Sequence, residues 1–327
     1  MEDYASFGIL SGTCIGLSSN QFNQRYSMSK DKLFIINFNI RSFNANFDQF
    51  AVFLDELERA PDLIILTETW NSDDKNAKIN GFKSFHCNRS FDMRGGGVSI
   101  YVNKKLNAKA IKISMDSLTD IEYIHVKLTF NRSGKILDAV GIYRPPNINQ
   151  LTNFLDHLDF LLDSLGTNTY QILAGDLNIC GLSNTVISNQ LFNVMRAYSF
   201  MPHISRITRY NSHGTSTAID HIWSNFGFNF DSGVFDDIFI SDHWINFTLL
   251  PFLPEITKVI TKFRNHSEQC IEMFADRLAN FNLFFDLLSA NLDFDAKFSL
   301  FFHEIDRIYK TCCPIKQSKR NFFEPFQ

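Results

Sequence analysis

Short apolar runs that end in a polar residue recur along most of this chain, and they constrain its fold more than any other feature. Such runs are typical of buried strands, and several of the segments between them carry apolar residues at helical spacing. Strands are predicted at Leu33–Phe38, Leu63–Leu66, Gly97–Val102, Glu122–Phe130, Ile136–Tyr143, Tyr170–Ala174, Ala218–Trp223 and Ile245–Leu249. Helices are predicted around Phe43–Leu57, Leu151–Leu162 and Leu191–Tyr198. This alternation predicts an α/β fold in which two packed sheets lie between outer helices.

Length and charge limit the class of protein further. A chain of 327 residues with 45% apolar and 20% charged residues allows one globular domain of about 200–250 residues plus an appendage. The net charge is −4, so any surface that attracts nucleic acid must be local. No apolar run reaches the roughly 18 residues of a membrane span, and the first 30 residues lack the features of a signal peptide. Six cysteines without metal-ligand spacing argue against a zinc site or a disulfide framework. The sequence predicts a soluble, intracellular protein.

Three segments are expected along the chain. Residues 1–30 form a polar N-terminal segment, residues 31–252 form the α/β domain, and residues 253–327 form a helical extension. After Pro251 the strand signals stop and apolar residues recur at helical spacing. The boundary is therefore placed at about 251–263.

Polar residues follow three of the predicted strands at the point where each strand ends. Asn39 follows the first strand, Glu68 follows the second, and Asp176 with Asn178 follows Tyr170–Ala174. A single residue of this kind is more often a turn or cap residue, because Asp, Asn and Glu are common there. Several such residues together indicate a site, since catalytic groups tend to sit on loops held by a rigid scaffold.

Six sequence blocks in a fixed order make the chain similar to a known family. The blocks are Asn39-Ile40-Arg41-Ser42, Leu66-Thr67-Glu68-Thr69-Trp70, Gly141-Ile142-Tyr143-Arg144-Pro145-Pro146, Gly175-Asp176-Leu177-Asn178, Ile219-Asp220-His221-Ile222 and Ser241-Asp242-His243. Over residues 33–250 the chain resembles the endonuclease/exonuclease/phosphatase superfamily. The forms YRPP, RGGGVSIYV and SDH most resemble the endonuclease of jockey-type non-LTR retrotransposons. The tail resembles the stretch that joins this endonuclease to a reverse transcriptase, and the polymerase itself is absent from the sequence.

The resemblance implies a fold, a cofactor and a set of site residues. The implied fold is a four-layered α/β sandwich, to which the helical extension is appended. The implied reaction is in-line attack of water on a phosphodiester, with one divalent cation, Mg²⁺ or alternatively Mn²⁺. The implied metal ligands are Glu68, Asn39 and Asp242, and the implied catalytic residues are Asp176, Asn178, His243, Asp220 and Tyr143.

The resemblance also assigns roles within this set. Glu68 is the principal metal ligand. Asp176 orients and deprotonates the attacking water, and Asn178 donates a hydrogen bond to the phosphoryl oxygen. His243 binds the same phosphate and is oriented by Asp220. Tyr143 hydrogen-bonds to that phosphate, although a buried aromatic with a satisfied hydroxyl is the simpler alternative.

Four other features have simpler interpretations. His221 neighbours Asp220 but points to the opposite face of its strand, so it is expected to pack in the core. His125 alternates with apolar residues and is expected at the surface. Gly95–Gly97 lacks the Lys-Ser/Thr and helix of a phosphate loop and is expected to form a tight turn before a strand. Arg41 stands where repair-type apurinic endonucleases of the superfamily have an acidic residue, which makes an abasic-site repair role doubtful.

The expected function is that of a DNA-nicking endonuclease acting in the nucleus. Arg206, Thr208 and Arg209 are the best local candidates for DNA backbone contacts, because Arg, Ser and Thr all serve phosphates, although a solvated loop is nearly as good an interpretation. A phosphatase of the same fold acting on inositol phosphates or lipids is the alternative enzyme. A catalytically decayed DNA-binding remnant is the alternative outside the enzymes.

Overall fold

Two sheets form the core of the computed structural model, which describes residues 14–318 except for 30, 72–76, 90–94, 118–119, 132, 147–150, 167–168, 211–215, 226–229, 252–260, 266 and 281–291. The strands of the first sheet are, in spatial order, β1 (Cys14–Leu17), β12 (Asp231–Phe235), β13 (Ile245–Pro251), β2 (Lys32–Asn39), β3 (Leu63–Thr67), β5 (Val98–Asn103) and β4 (Phe82–Cys87). The strands of the second sheet are β10 (Met201–Pro202), β11 (Asp220–Ser224), β9 (Tyr170–Asp176), β8 (Ile136–Tyr143), β7 (Glu122–Phe130) and β6 (Ala108–Ser117). All the strands predicted from the sequence are confirmed.

Four layers result from the way in which successive residues of a strand point to opposite faces. In β2, Leu33 and Ile35 lie in the core between the sheets, while Phe34 and Ile36 pack under an outer layer of helices. The helices on the first sheet are α1 (Ser19–Tyr26) and α2 (Phe43–Glu56), and those on the second sheet are α3 (Leu151–Ser164) and α4 (Val186–Ala197). The predicted four-layered α/β sandwich is therefore confirmed.

Strand register brings the polar strand ends to one edge of the sandwich. The parallel strands β2 and β3 pair Asn39 with Thr67, the residue before Glu68. In the second sheet, Asp176 pairs with Tyr143 of β8 on one side and with Asp220 of β11 on the other. Side chains from both sheets thus meet at the same edge.

The start of the described chain belongs to the sandwich. Strand β1 pairs with β12 in parallel, and Phe22 of α1 is fully buried against the first sheet. A capping box between Ser18 and Gln21 begins α1. Residues 14–26 are therefore part of the α/β domain rather than of a separate polar segment over 1–30, and residues 1–13 lie outside the described residues.

The structure corrects the predicted exposure of His125. Its side chain is buried, and Nε2 lies 2.7 Å from Oδ1 of the buried Asp138 on the neighbouring strand. His125 pairs across the strands with Val140, which packs under the layer formed by α3 and α4. Alternation along β7 identifies the two faces of the strand correctly, but the outer face is covered by helices rather than open to solvent.

The described residues from 261 onward form a second compact unit. Its helices are α5 (Glu268–Ala279) and α6 (Phe294–Cys312), and its strands β14 (Thr261–Arg264) and β15 (Ile315–Ser318) pair antiparallel. Cys270, Ile308, Cys312 and Cys313 form its small buried core. Most of the boundary expected at 251–263 falls on 252–260, outside the described residues. No helix in the described ranges is long and apolar enough to cross a membrane.

Candidate active site

A left-handed turn after β3 presents Glu68 at the edge of the sandwich. Glu68 has a φ of 50° and Trp70 a φ of 53°, a conformation that costs free energy for residues other than glycine. The backbone N–H groups of Thr69 and Trp70 donate to the carbonyls of Gly97 and Gly96 at 3.3 and 2.9 Å. A Cβ on Gly97, where φ is 89°, would lie 2.6 Å from Oγ1 of Thr69. The glycines therefore form a tight turn before β5, as expected, and support the Glu68 loop.

Asn39 connects the two sheets at the site. Its Nδ2 donates to Oε1 of Glu68 at 2.9 Å and to Oδ2 of Asp176 at 2.8 Å. The Tyr143 hydroxyl lies 3.4 Å from the same Glu68 oxygen, and burial is the main cause that raises its pKa. Tyr143 is therefore a protonated hydroxyl that faces the site rather than an aromatic satisfied elsewhere in the core.

The loop after β9 is held from two sides. Asn178 has a φ of 48°, and its backbone N–H donates to Oδ1 of Asp176 at 2.8 Å. Arg144 donates to the carbonyls of Leu177 and Asn178 at 2.6 and 2.9 Å, and the Asn178 side chain donates to the Arg144 carbonyl at 2.8 Å. Arg144 is thus a positioning residue that the site prediction omitted, although it stands in the YRPP block.

Asp220 and His243 form a buried pair beside Asp176. Oδ2 of Asp220 lies 2.8 Å from Nδ1 of His243 and also accepts a hydrogen bond of 2.7 Å from the Thr208 hydroxyl. One ligand atom from each of Asp176, Asp220 and His243 lies within 4.8 Å of the others. Since Nδ1 of His243 already bonds to Asp220, this ring can offer only Nε2 to another group.

The electrostatics of this cluster keep a proton on the histidine. Burial disfavours the charged form of His243, but the charge and hydrogen bond of Asp220, with the charges of Asp176 and Asp242, outweigh it and raise the pKa to about 9. Burial and the charge of Asp220 raise the pKa of Asp176 to about 7, against the opposing effects of His243 and two hydrogen bonds. At neutral pH the cluster therefore holds an imidazolium next to a carboxyl group that can accept a proton.

His221 lies on the other face of β11. Its Nε2 donates to the Ile179 carbonyl at 2.8 Å, and burial lowers its pKa. The predicted packing role of His221 agrees with this position.

Two arginines share the carboxylate of Asp242. Nη1 of Arg41 donates to Oδ1 at 2.8 Å and Nε of Arg209 donates to Oδ2 at 3.0 Å. Burial opposes ionisation of Asp242, but the hydrogen bond from Arg41, the charge of His243 and the hydrogen bond from Arg209 outweigh burial and lower its pKa.

The three expected DNA contacts lie in different environments. Arg209 is half-buried at the site, next to Asp242. Arg206 is exposed, but Nη2 lies 3.1 Å from the place a Cβ on Gly16 would take, beside the first strand. Thr208 is fully buried and its hydroxyl bonds to Asp220, so its assignment as a phosphate contact is corrected to that of a residue orienting Asp220.

The oxygen atoms around Glu68 suit a hard divalent cation. Mg²⁺ prefers oxygen ligands and keeps several waters, so one or two carboxylates are enough. Glu68 is half-buried, whereas Oδ1 of Asn39 accepts a hydrogen bond from the Arg41 backbone at 3.2 Å and Asp242 is engaged by arginines. Among the three expected ligands, Glu68 is thus the carboxylate best placed to hold such an ion.

Comparison with solved structures shows the same fold. The endonuclease domain of TRAS1, a telomere-specific non-LTR retrotransposon, is 13% identical and has a TM-score of 0.54, covering 67% of this chain and 98% of its own. The AP endonuclease LMAP from Leishmania major is 12% identical, with a TM-score of 0.55 over 77% of this chain and 96% of its own. A 3′-5′ exonuclease from Neisseria meningitidis is 16% identical, with a TM-score of 0.52 over 66% of this chain and 98% of its own. No match was found among curated proteins.

Family membership rests on the sequence as well as on the fold. Residues 36–243, more than half of the chain, match the Endonuclease/Exonuclease/phosphatase family. This range contains every block described above, from the strand before Asn39 to His243. The chain therefore belongs to the endonuclease/exonuclease/phosphatase family, whose members are hydrolases that act on phosphodiester bonds and typically depend on a divalent metal.

Proposed function

We propose that this protein is a magnesium-dependent endonuclease that nicks DNA, of the kind found in jockey-type non-LTR retrotransposons. One observation carries the proposal: five site residues form one continuous group across both sheets. Side-chain hydrogen bonds join Asn39 to Glu68 and to Asp176, and His243 to Asp220. Asp176 and Asp220 are neighbours on paired strands. The catalytic domain is taken to consist of residues 31–252 together with β1 and α1, which pack on them. Its site of action is the nucleus, where the DNA substrate lies.

In this mechanism Asp176 accepts the proton of the attacking water. A pKa of about 7 suits a base that works near neutral pH. Asn39 and the Asn178 backbone hold the two oxygens of this carboxylate in place by hydrogen bonds. One Asn178 side-chain N–H is used on Arg144, and the amide has a second that can donate to the phosphoryl oxygen.

His243 stabilises the negative charge that develops on the phosphate. The imidazolium uses Nδ1 on Asp220, which leaves Nε2–H for a phosphate oxygen. Glu68 would hold the divalent cation, with Asn39 and Asp242 beside it. When bound, such a cation acts as a Lewis acid that neutralises charge on the phosphate. Tyr143, a protonated hydroxyl near Glu68, supplies a further donor.

DNA as the substrate is supported by the likeness to the TRAS1 endonuclease domain, 98% of which is covered. It is supported as well by cations beside the reactive groups, since Arg41 and Arg209 both approach Asp242. These are local positive charges on a chain whose net charge is negative, which is what phosphate binding requires here.

Plasmid nicking tests the proposal. Purified protein should convert supercoiled plasmid to the open circle with Mg²⁺ or Mn²⁺, and EDTA should stop the reaction. Inositol phosphates and phosphoinositide vesicles are assayed in parallel for phosphate release. Release of phosphate without nicking would show that the protein is a phosphatase of the same fold and not a nuclease. DNA binding without turnover of either substrate would indicate a decayed enzyme.

A further inference from the structure

Arg41 and Arg209 approach the carboxylate of Asp242 from two different loops. Arg41 follows Asn39, and the loop that carries it is tied to the Glu68 loop because the backbone N–H of Ser42 donates to the Glu68 carbonyl at 2.8 Å. Arg209 forms a backbone bridge with His243. Their side chains converge on Asp242, and neither the family blocks nor the roles assigned above give Arg41 a function.

The arrangement is not explained by stability. Arg41 and Arg209 expose 43% and 39% of their side chains, and Asp242 exposes 28%. Ion pairs this exposed contribute little to the free energy of unfolding, because solvent screens them. Arg41 also has a φ of 45°, a strained conformation of the kind that persists at functional sites when the surroundings hold it.

The guanidinium groups keep donors for another ligand. Arginine has five N–H donors, and among the described residues each of these two side chains donates through one nitrogen, to Asp242. A carboxylate bridged by two arginines presents two oxygens in the way a phosphate does, and arginine binds both groups by the same forked geometry. Asp242 thus occupies a place that suits a phosphate.

The distance between Asp242 and His243 indicates which phosphate would bind to the two arginines. Oδ1 of Asp242 lies 3.9 Å from Nε2 of His243, the nitrogen left for the scissile phosphate in the proposed mechanism. We infer that Arg41 and Arg209 form a clamp for a backbone phosphate that flanks the scissile one, and that Asp242 fills the clamp until substrate binds. This inference rests on the proposed function and makes the substrate a polynucleotide rather than a single phosphoester.

Oligonucleotide binding in EDTA tests the clamp without cleavage. Fluorescence anisotropy of a labelled duplex is measured over a range of salt concentrations for wild type, Arg41→Gln and Arg209→Gln. Each variant should bind more weakly, and its slope of log K against log salt should be smaller by about 0.9, the value for one lost phosphate contact on duplex DNA. Arg307→Gln is the matched control, because Arg307 is also an exposed arginine paired with a carboxylate, Glu304. It should leave both quantities unchanged.

Asp242→Asn separates a clamp from a simple ion pair. If Asp242 fills a phosphate site, removing its charge frees the donors and should strengthen DNA binding in EDTA, opposite in sign to Arg41→Gln. If Arg41 only holds Asp242 in place, both variants break the same contact and shift binding in the same direction, which would overturn the clamp.

A substrate with one phosphate distinguishes this failure from failure of the proposed function. Hydrolysis of bis(p-nitrophenyl) phosphate, which has no flanking phosphate, should fall much less than plasmid nicking in Arg41→Gln and Arg209→Gln. Equal losses on both substrates would overturn the clamp. If wild type hydrolyses neither substrate, the proposed function fails, and the clamp is then decided by binding alone: unchanged salt slopes, or no binding by wild type, would overturn it.

Discussion

The two halves of the site differ in how far the protein itself fixes them. Asp176, Asp220 and His243 are at most 2% exposed, and protein hydrogen bonds engage each of them. On the other half, Glu68 is half-buried and Asp242 lies in a partly exposed ion pair. Buried charges are tolerated only with partners, whereas half-exposed ones can exchange partners with water and ligands. We therefore propose that the buried half carries out the proton chemistry and that the open half binds ions and substrate.

Removing His243 should have the largest effect. His243→Ala deletes the imidazolium of the buried half, and turnover should fall by roughly 10²–10³, as when one preorganised stabiliser of a transition state is lost. Extra Mg²⁺ should not restore it, because the open half is intact. The measurement is the single-turnover rate of plasmid nicking over a series of Mg²⁺ concentrations.

The matched control for this variant lies one residue from Asp220. His221→Ala removes a buried ring on the outer face of β11, so it should lower the unfolding temperature and leave the nicking rate of the folded protein near wild type. Full activity of His243→Ala with loss in His221→Ala would show that the wrong histidine has been assigned to the site.

Changing Glu68 should give a loss of a different kind. Glu68→Gln keeps the shape of the side chain, removes the charge of Glu68 and leaves that of Asp242 in place. We expect half-maximal activity to need an Mg²⁺ concentration more than about tenfold higher. Loss of a residue that only hydrogen-bonds to a metal ligand already lowers metal affinity by about tenfold or more, and loss of a ligand should lower it further. Nicking at wild-type Mg²⁺ concentrations would contradict the assignment of Glu68 as principal ligand, and direct Mg²⁺ titration by calorimetry provides a readout independent of turnover.

A smaller effect, with a pH signature, is expected for Asp220. In wild type, activity should rise as Asp176 loses its proton near pH 7 and fall as His243 loses its proton near pH 9. In Asp220→Asn, the carboxylate that raises both pKa values is gone, so both limbs of the profile should move to lower pH. Turnover at low pH should fall less than in His243→Ala.

The pH–rate profile of nicking at saturating Mg²⁺ measures this shift. Identical alkaline limbs in wild type and variant would contradict the Asp220–His243 pairing. The stability of the folded protein should depend on pH through the same histidine. Because the pKa of His243 is raised from its ordinary value of about 6.5, its protonation stabilises the folded state fully below about pH 6.5, and this contribution disappears as pH rises through about 9. Urea unfolding across this range should therefore show a steeper loss in wild type than in His243→Ala.

The features of the site that depend on local sequence signals were predicted correctly. A buried strand followed by a polar residue fixes where Asn39, Glu68 and Asp176 lie along the chain, and strand pairing then brings these positions to one edge. Two packed sheets with helices outside also follow from local patterns, because short apolar runs alternate with segments of helical spacing. The four-layered arrangement itself was implied by the family resemblance.

The contacts that the sequence could not reveal are those between distant residues. Arg41 and Asp242 are 201 positions apart, and nothing in either segment indicates their pairing. Thr208 was predicted as a phosphate contact because Arg, Ser and Thr all serve phosphates, yet its hydroxyl is buried and donates to Asp220. His125 looked exposed because alternation does not tell which face a later helix covers. Glu122, which accepts a 2.6 Å hydrogen bond from the Gly97 backbone and supports the Glu68 loop, carried no signal at all.

The smallest effect is expected from removing the second unit. A chain that ends near Pro254 keeps both halves of the site and all strands of the sandwich, since the last of them, β13, ends at Pro251. Its nicking rate and Mg²⁺ dependence should match those of the full chain. Plasmid nicking and thermal unfolding, followed by circular dichroism, measure the two properties separately.

A shorter chain provides the control for this truncation. Ending at Trp244 removes β13, which lies between β12 and β2 and buries Ile245, Phe247 and Leu249 under the helices of the first sheet. Without it β2 loses its neighbour on one side and the core loses three large side chains, so this chain should not fold. If the chain ending near Pro254 is folded but does not nick DNA, the two halves of the site together are not enough for catalysis. In that case α5 and α6 belong to the catalytic machinery.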